Sequence, residues 1–600
     1  MLIKVAHYIA KFLLAAGVKD IFTLTGGGAM HLNDAFGHSD LTCTYFHHEQ
    51  ACAIAADGYA RIHNRIAPVC VTTGPGGTNA ITGVVGAHLD SVPMLVISGQ
   101  VRYDTTAHST GLPLRAMGDQ EFDIIRAVAP MTKYCEMITD PKRIRYCLEK
   151  ALYLAQSGRP GACWLDIPLN VQGAFVEEES LQGYVRTGDE VPPAVSDALI
   201  DDVIARLRRA KRPVLYPGNG VRLAGAYNAL MQVLEKLNIP VVETWNGIDL
   251  MPSAHPRYVG RAGSFGDRAG NFAVQNADLV LAIGNRLSVR QTGYNFKSWA
   301  RAAEVICVEA DAPEMQKPTA HIELPIHADA LDFLSKLNEK LPNGPLFTEQ
   351  SWLAQCLAWR QKYPVVQEKH YQDQQANAYC LIHELSRRLP ENSLTVVGNG
   401  TACVAGSAAY VIQPGSRFII NSAIASMGYD LPAAIGACLG EGRRNTLCIT
   451  GDGSIQMNLQ ELQTIIHHRL PIKLFVINNE GYHSIRQTQK NLFGGALVGV
   501  GVDSADLSFP SFEKLAWAYG FPYFCIRAND QWQVLDAVLA MPGPVMCEVF
   551  VSKDQVFEPK SATRKLEDGT LVSAPLEDLA PFLPREELKA NMLIPLYTEE

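Results

Sequence analysis

The sequence predicts an α/β protein with three doubly wound domains, each built on a parallel sheet. Apolar runs rich in β-branched residues alternate with helical patterns along most of the chain, and several runs end in glycines and other small residues. The length of 600 residues suits three or four domains, and 47% apolar residues are enough to fill their cores. Ligands of open parallel sheets bind at the carboxyl ends of the strands, so the residues that follow the strands are the functional candidates.

The composition argues against several other classes of protein. The formal net charge is −9 and no long basic run occurs, which argues against nucleic acid as a partner. Fourteen cysteines occur without a CxxC pair, a pattern typical of reduced thiols in the cytoplasm and not of disulfides or structural zinc. The apolar amino terminus is interrupted by His7 and Lys11, and no apolar stretch is long enough to cross a bilayer. We therefore expect a soluble cytoplasmic protein with no membrane partner.

The first predicted domain covers residues 1–170 and contains three glycine-rich loops after predicted strands, which end at Leu24, Val71 and Ile97. Tight turns between strand and helix account for part of each loop. Three such loops at one edge of a sheet also let a flat ligand approach the backbone closely. The loops are Thr25-Gly26-Gly27-Gly28, Gly74-Pro75-Gly76-Gly77 and Ser98-Gly99-Gln100.

Glu49 is the candidate catalytic residue of this domain. It precedes an alanine-rich helical pattern at 51–60, which predicts a slim helix that packs closely against its neighbours. A carboxylate at the start of such a helix serves either as a capping and dipole partner or as a group that moves a proton. The adjacent His47 and His48 have no visible third ligand, so we interpret them as polar neighbours of the site and not as a metal centre.

A linker at 171–195, with an acidic run and a Pro-Pro pair, separates the first domain from a second α/β domain at 196–340. The turn Pro217-Gly218-Asn219-Gly220 contains a GxG but no third glycine, so the dinucleotide-binding fingerprint is weak. The predicted strands of this domain are Pro213–Tyr216, Ile239–Val242, Leu279–Gly284 and Val305–Val308.

The third predicted domain, at 376–560 after a polar linker at 341–375, contains the most informative stretch of the chain. Asp452 follows one apolar run, and Asn479 follows the next, with a helical pattern between them. Parallel strands bring such residues to the same edge of the sheet. A carboxylate and an amide oxygen are hard ligands, which suit Mg²⁺ shared with a phosphate group.

Two glycine-containing loops of this domain can hold a diphosphate. Gly453 lets the backbone approach the ligand, and its amide and that of Ser454 can donate hydrogen bonds. The segment Gly398–Cys403 follows the apolar run Leu394–Val397 and begins another helix. These observations predict a metal and diphosphate site at the carboxyl edge of the third sheet.

The 451–481 stretch resembles the signature of thiamin-diphosphate enzymes, which is GDG followed by a helix and NN. Residues 1–555 as a whole are similar to the acetolactate synthase (large subunit) family. The segments TTGPGGTNAITG and Gly99-Gln100-Val101 and the stretch around Met427 also carry this resemblance. It implies a pyrimidine-binding first domain, a central domain of the FAD type and a diphosphate-binding third domain. The implied cofactors are thiamin diphosphate, Mg²⁺ and FAD.

The resemblance also implies roles for individual residues and an oligomeric state for the protein. Glu49 of one subunit reaches N1′ of the aminopyrimidine held by another subunit, so we expect a homodimer or homotetramer. Met427 holds the bent shape of the cofactor. The other implied residues are Gln120 and Gln487 as catalytic groups, Asp452, Asn479 and the Gly481 backbone at the metal, Gly26, Gly27, Gly76, Asn79, Thr401, Ala402, Gly451, Gly453, Ser454 and Tyr482 at thiamin diphosphate, and Arg261, Gly263, Arg286 and Arg290 at FAD.

The chain departs from the pattern of the family at several positions. Asp119 stands where the family has phenylalanine, and Thr488 stands where it has the tryptophan of the acceptor pocket. Smaller or polar residues at both positions predict a wider, more polar pocket that suits a hydroxylated acceptor such as a keto-sugar. The family's Gln-His pair at the diphosphate is replaced by Thr401-Ala402, and two aspartates of its flavin motif by Ser288 and Val289.

The predicted activity is decarboxylation of a 2-oxo acid, pyruvate, followed by transfer of the acyl group to a second carbonyl, here a keto-sugar. Chains of this kind resemble acetolactate-synthase-like proteins of surface-polysaccharide sugar pathways. The alternatives are a true acetolactate synthase, a lyase or hydrolase of carbon–carbon bonds, and a simple 2-oxo acid decarboxylase. A non-enzymatic regulatory subunit is a further alternative, against which the presence of Glu49, Asp452 and Asn479 argues. The tail at 561–600 is either a surface strap or a lid over the site.

Overall fold

The computed structural model describes residues 1–188, 191–565 and 571–597. It contains three six-stranded parallel sheets that follow one another along the chain, which confirms the predicted fold class. Within the described ranges, no helix is long and apolar enough to cross a membrane.

The first sheet has the strand order β3-β2-β4-β5-β7-β6, with helices on both faces. Strand β5 is buried along its whole length, as expected of a parallel strand covered on both sides. The elements are β1 Leu2–Lys4, α1 Val5–Ala15, β2 Asp20–Thr23, α2 Met30–Gly37, β3 Thr42–Tyr45, α3 Glu49–His63, β4 Val69–Val71, α4 Pro75–Leu89, β5 Met94–Gln100, α5 Ala107–Thr110, α6 Ile124–Val128, β6 Tyr134–Met137, α7 Ile144–Gln156, β7 Ala162–Pro168, α8 Leu169–Gly173 and β8 Phe175–Glu177.

The second sheet has the order β11-β10-β9-β12-β13-β14, which counted along the chain is 3-2-1-4-5-6. This is the order of dinucleotide-binding doubly wound sheets, in which the crevice lies between the first and fourth strands. The elements are α9 Asp197–Arg209, β9 Pro213–Pro217, α10 Gly220–Leu223, α11 Tyr227–Leu237, β10 Val241–Glu243, β11 Tyr258–Arg261, α12 Arg268–Asn276, β12 Leu279–Ile283, α13 Val289–Thr292, β13 Glu304–Glu309, β14 Leu324–His327, α14 Ala330–Lys340, α15 Ser351–Lys362 and α16 Glu368–Tyr371.

The third sheet, β16-β15-β17-β18-β20-β19, repeats the topology of the first, because both orders read 2-1-3-4-6-5 along the chain. In each sheet the loops after the first and third strands therefore lie side by side. The elements are α17 Ala378–Arg387, β15 Leu394–Val397, α18 Thr401–Ala409, β16 Arg417–Ile420, α19 Asp430–Gly440, β17 Thr446–Gly451, α20 Glu461–His468, β18 Ile472–Asn478, α21 His483–Leu492, α22 Phe512–Tyr519, β19 Tyr523–Ile526, α23 Val534–Ala540, β20 Val545–Phe550, β21 Thr563–Lys565, β22 Leu571–Ser573 and α24 Arg585–Asn591.

Two local expectations differ from the structure. Ser98-Gly99-Gln100 is the end of strand β5 and not a loop, because the ladder with β7 continues to Gln100. The segment 341–375 is not an unstructured linker: it contains α15, on which Trp352 and Trp359 are buried against the central domain. The apolar side chains of α15 are spread around the helix and not gathered on one face, so the sequence shows no helical period there.

The first and third domains pack through two equivalent helices, α3 and α19, each of which precedes the third strand of its sheet. Small residues let the two backbones approach closely. A Cβ atom at Gly58 would lie 2.3 Å from the carbonyl oxygen of Ala433, and one at Gly436 would lie 1.8 Å from that of Ala55. The alanine-rich pattern after Glu49 is therefore explained by a close helix contact between domains.

We expect Gly436→Ala to destabilise the protein by about 3 kcal/mol, since the added methyl group meets a backbone oxygen that cannot move without displacing α3. Urea unfolding followed by circular dichroism measures this change. Gly344→Ala is the matched control, because a Cβ atom there meets no heavy atom within 4 Å. Equal stability of the two variants would show that the helix contact is looser than the structure indicates.

The described part of the tail packs on the central domain. Leu576 and Leu579 are buried, and the Glu577 carboxylate pairs with Arg301 at 2.9 Å and accepts a hydrogen bond from Gln275. Residues 571–597 therefore pack as a strap along the central domain, which is the first of the two alternatives predicted for the tail. Residues 566–570 and 598–600 of the predicted tail lie outside the described residues.

Candidate functional site

Asp452 lies directly after β17, and the residue is 2% exposed. The two carboxylate oxygens accept the backbone N–H groups of Gly453 at 2.8 Å and Gly481 at 2.9 Å. Burial raises the pKa of this carboxyl to about 7, although the amides and Arg486 act in the opposite direction. A bound cation stabilises a buried carboxylate of this kind, so Asp452 fits the predicted metal ligand.

Asn479 follows β18, the neighbour of β17, so it lies beside Asp452. Its amide nitrogen donates to Oγ1 of Thr401 at 2.8 Å, which leaves its amide oxygen for another partner. The carbonyl of Gly481 accepts the N–H of His483 at 3.0 Å. No group of three His, Cys, Asp or Glu side chains in the described part of the chain is placed to hold a metal, so an ion here needs amide, carbonyl and phosphate oxygens.

The two glycines of the loop after β17 differ in their surroundings: a Cβ atom at Gly451 would meet no heavy atom within 4 Å, so a ligand can approach the backbone there. A Cβ atom at Gly453 would lie 2.3 Å from Cε1 of Tyr482, so only glycine fits beside that ring. The hydroxyl of Ser454 donates to Asp430 at 2.6 Å and accepts the N–H of Gly428 at 2.9 Å. The predicted diphosphate residues are thus brought together, and Ser454 holds the loop in place through its side chain.

The loop after β15 lies next to the loop after β17 at the carboxyl edge of the third sheet. Asp430 contacts both loops, because it accepts a hydrogen bond from Ser454 and packs against Gly398. A Cβ atom at Gly398 would lie 2.2 Å from Oδ2 of Asp430, and Gly400 has a φ of 98°. Helix α18 begins at Thr401, which binds Asn479, whereas Ala402 is fully buried in the core of the domain. Two neighbouring glycine loops and an oxygen-rich metal corner together fit a diphosphate with its cation.

Three asparagine and serine side chains clamp the segment that carries Met427, which is partly exposed. Asn399 donates to the carbonyl of Ser426 at 2.8 Å, and Asn458 donates to that of Gly428 at 2.7 Å, while Ser454 holds the Gly428 N–H. Sequence reasoning missed Asn399, Asp430 and Asn458. Their only signal in the sequence is a polar residue beside small residues at a strand or helix end.

Glu49 is the first residue of α3 and is 8% exposed. Its Oε2 accepts a hydrogen bond from the amide nitrogen of Asn79 at 3.0 Å, and a Cβ atom at Gly76 would lie 3.7 Å from its Oε1. The cap of α3 is formed by His48, whose Nδ1 accepts the N–H of Gln50. Because His48 fulfils the capping role, the Glu49 carboxylate is not needed for it, and three predicted residues, Glu49, Gly76 and Asn79, form one cluster.

The start of α3 contacts the third domain of the same chain. The N–H of His47 donates to Glu461 at 3.1 Å, and Asn458 donates to Oε1 of Gln50 at 3.0 Å and to the carbonyl of Gly428. Hydrogen bonds between residues more than 400 positions apart therefore join the first and third domains of one chain at the start of α3.

The remaining glycine loops of the first domain lie against each other. A Cβ atom at Gly26 would lie 2.4 Å from Cβ of Thr72, whereas one at Gly27 would meet no heavy atom within 4 Å. The exposed Gln120 approaches this region through its backbone, since its carbonyl oxygen would lie 2.5 Å from a Cβ atom at Gly74. The Gln120 loop thus borders the glycine loops, and its side chain faces outward.

A buried network of polar side chains, centred on Gln100, holds the loop that contains Gln120. The hydroxyl of Thr73 donates to Gln100 at 2.6 Å, and Gln100 donates to Asp166 at 3.1 Å and to the carbonyl of Phe122 at 2.9 Å. Burial raises the pKa of Asp166 to about 7. Gln100 therefore positions the 120–122 segment, a role that its place at a strand end did not reveal.

Helix α21 carries Gln487 and Thr488, the two residues predicted to lie at the pocket for the acceptor substrate. The amide nitrogen of Gln487 donates to the carbonyl of Gln555 at 2.6 Å and lies 2.9 Å from Nε2 of the buried His483. Thr488 is exposed, and its hydroxyl donates to the carbonyl of Ser484 one turn earlier. The side chain of Gln487 is thus fixed by contacts within the chain, whereas that of Thr488 is exposed on the surface of α21.

A cavity of about 390 Å³, the central crevice, lies at the carboxyl ends of the second sheet. Of the four predicted flavin residues, Arg286 and Arg290 line it, whereas Arg261 and Gly263 do not. Arg261 instead donates to the carbonyl oxygens of Ser407 and Tyr410, both at 2.9 Å, and so joins the central and third domains.

Comparison with known proteins matches all three domains to one group of families. Residues 3–126 match the model of the thiamine pyrophosphate enzyme N-terminal TPP binding domain. Residues 200–337 match the model of the central domain, and residues 398–549 match that of the C-terminal TPP binding domain.

Several acetolactate synthases are similar along most of the chain. Isozyme 3 large subunit of Escherichia coli (strain K12) is 30% identical over 528 residues, which cover 86% of this chain and 88% of that protein. Isozyme 2 large subunit of the same organism is 32% identical over 558 residues, 91% and 95% of the two chains. The large subunit of Cyanidium caldarium is 30% identical over 575 residues, 93% and 95% of the two chains.

Proposed function

The chain belongs to the acetolactate-synthase-like branch of the thiamine pyrophosphate enzymes, and from this premise we propose that it decarboxylates pyruvate and transfers the acyl group to a keto-sugar. Decarboxylation and carboligation in general are the activities of this branch, and the chain is an enzyme of this kind. The keto-sugar acceptor and the roles of single residues are our proposal.

Thiamin diphosphate, when bound, supplies the stabilisation of negative charge at the carbonyl carbon of the 2-oxo acid. Asp452, Asn479 and the Gly481 backbone would hold Mg²⁺, and the loop at Gly453 would bind the diphosphate. Met427 would support the cofactor between its rings. Glu49 would hold and release the proton at N1′ of the aminopyrimidine, with Asn79 orienting the carboxylate.

The observation that carries the choice of acceptor is the polar character of the two segments that border the site. Asp119 and Gln120 are exposed on the loop beside the glycine loops of the first domain, and Thr488 is exposed on α21 beside Gln487. Amide, hydroxyl and carboxylate groups at these positions can hydrogen-bond sugar hydroxyls. A site that makes such bonds disfavours an acceptor without them, because its polar groups would stay unpaired.

Acetolactate formation is the second candidate, favoured by the acetolactate synthases that are 30% and 32% identical to this chain. Both candidates begin with decarboxylation of pyruvate, and they differ only in the acceptor. A second pyruvate is small and has no hydroxyl groups, so it would make fewer hydrogen bonds with the side chains of Gln120 and Thr488 than a sugar would.

The experiment that separates the two supplies pyruvate, thiamin diphosphate and Mg²⁺ with and without keto-sugar acceptors. Carbon dioxide release and mass spectrometry of the products are measured together. We expect a sugar product enlarged by the two carbons of an acetyl group, and a rate at least tenfold above that with pyruvate alone. Acetolactate formed at the same rate in the presence and absence of sugars would overturn the keto-sugar assignment.

We also propose that the enzyme is a homodimer or homotetramer in which Glu49 serves the cofactor of the neighbouring subunit. Exposed apolar side chains near the site support an interface there, since a surface of this kind is costly to leave in water. Light scattering coupled to size-exclusion chromatography measures the mass, and a monomeric active enzyme would contradict the proposal. The exposed side chains are Leu112, Leu114, Met117, Leu492, Phe493 and Val498.

A further inference from the structure

We propose that Asp166 is a positioning residue for the acceptor step, and that it acts through Gln100 on the loop that carries Gln120. The inference rests on the proposed function, because Gln120 is assigned there to the acceptor. Asp166 lies near the carboxyl end of β7, which pairs with β5 in the first sheet. Its carboxylate is buried behind the loop, so its effect on the reaction has to pass through other side chains.

The register of β5 and β7 builds a row of polar side chains that runs to the carboxyl edge of the sheet. Ser98 of β5 is paired with Asp166 of β7. Side chains two positions apart on a strand point to the same face, so Gln100 follows Ser98 on one face of β5. Asp166 follows Trp164 in the same way on β7. Hydrogen bonds agree with this placement, because Nε1 of Trp164 donates to the Ser98 hydroxyl at 2.8 Å.

The Asp166 carboxylate is stabilised by neutral groups. The residue is 1% exposed, and its Oδ1 accepts the Ser98 hydroxyl at 2.6 Å while its Oδ2 accepts the amide nitrogen of Gln100 at 3.1 Å. Burial raises the pKa of this carboxyl to about 7, although both hydrogen bonds act in the opposite direction. A buried carboxylate is costly unless its hydrogen bonds are made, so it holds the amide nitrogen of Gln100 toward itself.

The amide of Gln100 satisfies its partners in one orientation. Its Nε2 donates to Asp166 and to the carbonyl of Phe122 at 2.9 Å, and neither a carbonyl nor an ionised carboxylate can donate in return. Its Oε1 accepts the N–H of Val101 at 3.0 Å and the hydroxyl of Thr73 at 2.6 Å. A turned amide would set its oxygen against two acceptors. Asp166 therefore fixes which atom of Gln100 faces the loop.

The two polar atoms of the Gln100 amide lead to a strained turn at Gln120. Gln120 has a φ of 62°, in the left-handed region that residues other than glycine rarely adopt. Its carbonyl oxygen lies 3.3 Å from the Thr73 hydroxyl, and the carbonyl of Phe122 is held by Gln100. A strained backbone persists where its surroundings fix it, and such positions cluster at functional sites. The network thus fixes the backbone of residues 120–122.

The network is separate from the groups that we assign to the proton and to the metal. Among the described residues, its hydrogen bonds do not include Glu49 or Asp452. Glu49 accepts its hydrogen bond from Asn79, and Asp452 accepts backbone N–H groups of the loops after β17 and β18. Loss of the network should therefore weaken the use of the acceptor and leave the decarboxylation of pyruvate in place.

The test uses the full-length enzyme with thiamin diphosphate and Mg²⁺ and measures the two steps separately. Single-turnover release of carbon dioxide from pyruvate reports the first step, and the KM for the acceptor reports the second. Asp166→Asn removes one of the two acceptor oxygens, and Thr73→Ala removes the hydroxyl between Gln100 and the Gln120 carbonyl. Both should raise the acceptor KM by about tenfold and leave the first step within about twofold of the wild type.

Two further variants separate positioning from stability. Ser98→Ala removes the donor to the other oxygen of the same carboxylate and leaves the hydrogen bonds of Gln100, so the acceptor KM should stay within about twofold of the wild type. Thr73→Ser keeps the hydroxyl and should restore the KM that Thr73→Ala raises. The proposal fails if Asp166→Asn and Thr73→Ala leave the acceptor KM unchanged. It also fails if Ser98→Ala or Thr73→Ser raises the KM as much, or if carbon dioxide release falls in parallel.

Failure of this proposal is distinguishable from failure of the keto-sugar assignment. A wild-type enzyme that forms acetolactate and no enlarged sugar overturns the keto-sugar assignment by itself. The variants are then compared by the ratio of acetolactate formed to carbon dioxide released, which should fall about tenfold in Asp166→Asn and Thr73→Ala. Hydrogen–deuterium exchange of the peptide over 107–122 should become faster in the same two variants and not in Ser98→Ala. Exchange that stays at the wild-type rate in both would overturn the positioning role whichever acceptor is used.

Discussion

The Glu49→Gln variant should bind thiamin diphosphate and Mg²⁺ with affinities within about threefold of the wild type but lose roughly 10²- to 10⁴-fold in turnover. The glutamine keeps the size of the side chain and its contact with Asn79, so the site and the start of α3 stay in place. It cannot accept a proton, which removes the proton transfer that we assign to this carboxylate. Steady-state turnover of pyruvate and calorimetric titration of the cofactor measure the two quantities separately.

The control for this variant is Glu349→Gln, which makes the same chemical change at an exposed carboxylate ahead of α15. It should match the wild type in both measurements. Exchange of the cofactor's C2 proton with deuterium, followed by NMR, provides a second readout and should slow in parallel with turnover in Glu49→Gln. A variant with normal turnover would show that another group handles the proton and that the cluster of Glu49, Gly76 and Asn79 only shapes the site.

The Asp452→Ala variant should lose Mg²⁺ affinity by about 100-fold or more, and activity with it. It removes the only carboxylate of the proposed metal corner and leaves the N–H groups of Gly453 and Gly481 without their acceptor. Calorimetric titration of Mg²⁺ in the presence of thiamin diphosphate measures the loss. Asp530→Ala, at an exposed position of the same domain, is the matched control.

The pH dependence of Mg²⁺ binding tests the same assignment in the wild type. Burial raises the pKa of the Asp452 carboxyl to about 7, so the folded protein without metal holds a proton there below that pH. Mg²⁺ must displace this proton, and its affinity should fall about tenfold for each pH unit below 7. The dependence should disappear in Asp452→Ala. Wild-type affinity that stays constant between pH 5 and 7 would contradict the role of Asp452 as the metal ligand.

The sequence by itself determined the class of the fold and the positions of its central candidates. Periodic apolar patterns and strand-end glycines depend only on local neighbours, so they showed where β17 and β18 end and placed Asp452 and Asn479 at one edge. The start of α3 at Glu49 was readable for the same reason. Resemblance to a family added what these residues would bind, which no local pattern contains.

Only the tertiary structure decided which of these segments meet. The contact of Asn458 with Gln50 joins residues 408 positions apart, and that of Ser454 with Asp430 depends on the crossover between two strands. The packing of Arg290, on α13, over the ring of Trp245, in the loop after β10, likewise depends on how the edge of the second sheet is assembled. Contacts of this kind depend on how the sheets twist and on how the domains pack against each other. The local sequence pattern around either residue does not indicate which distant residue it will meet.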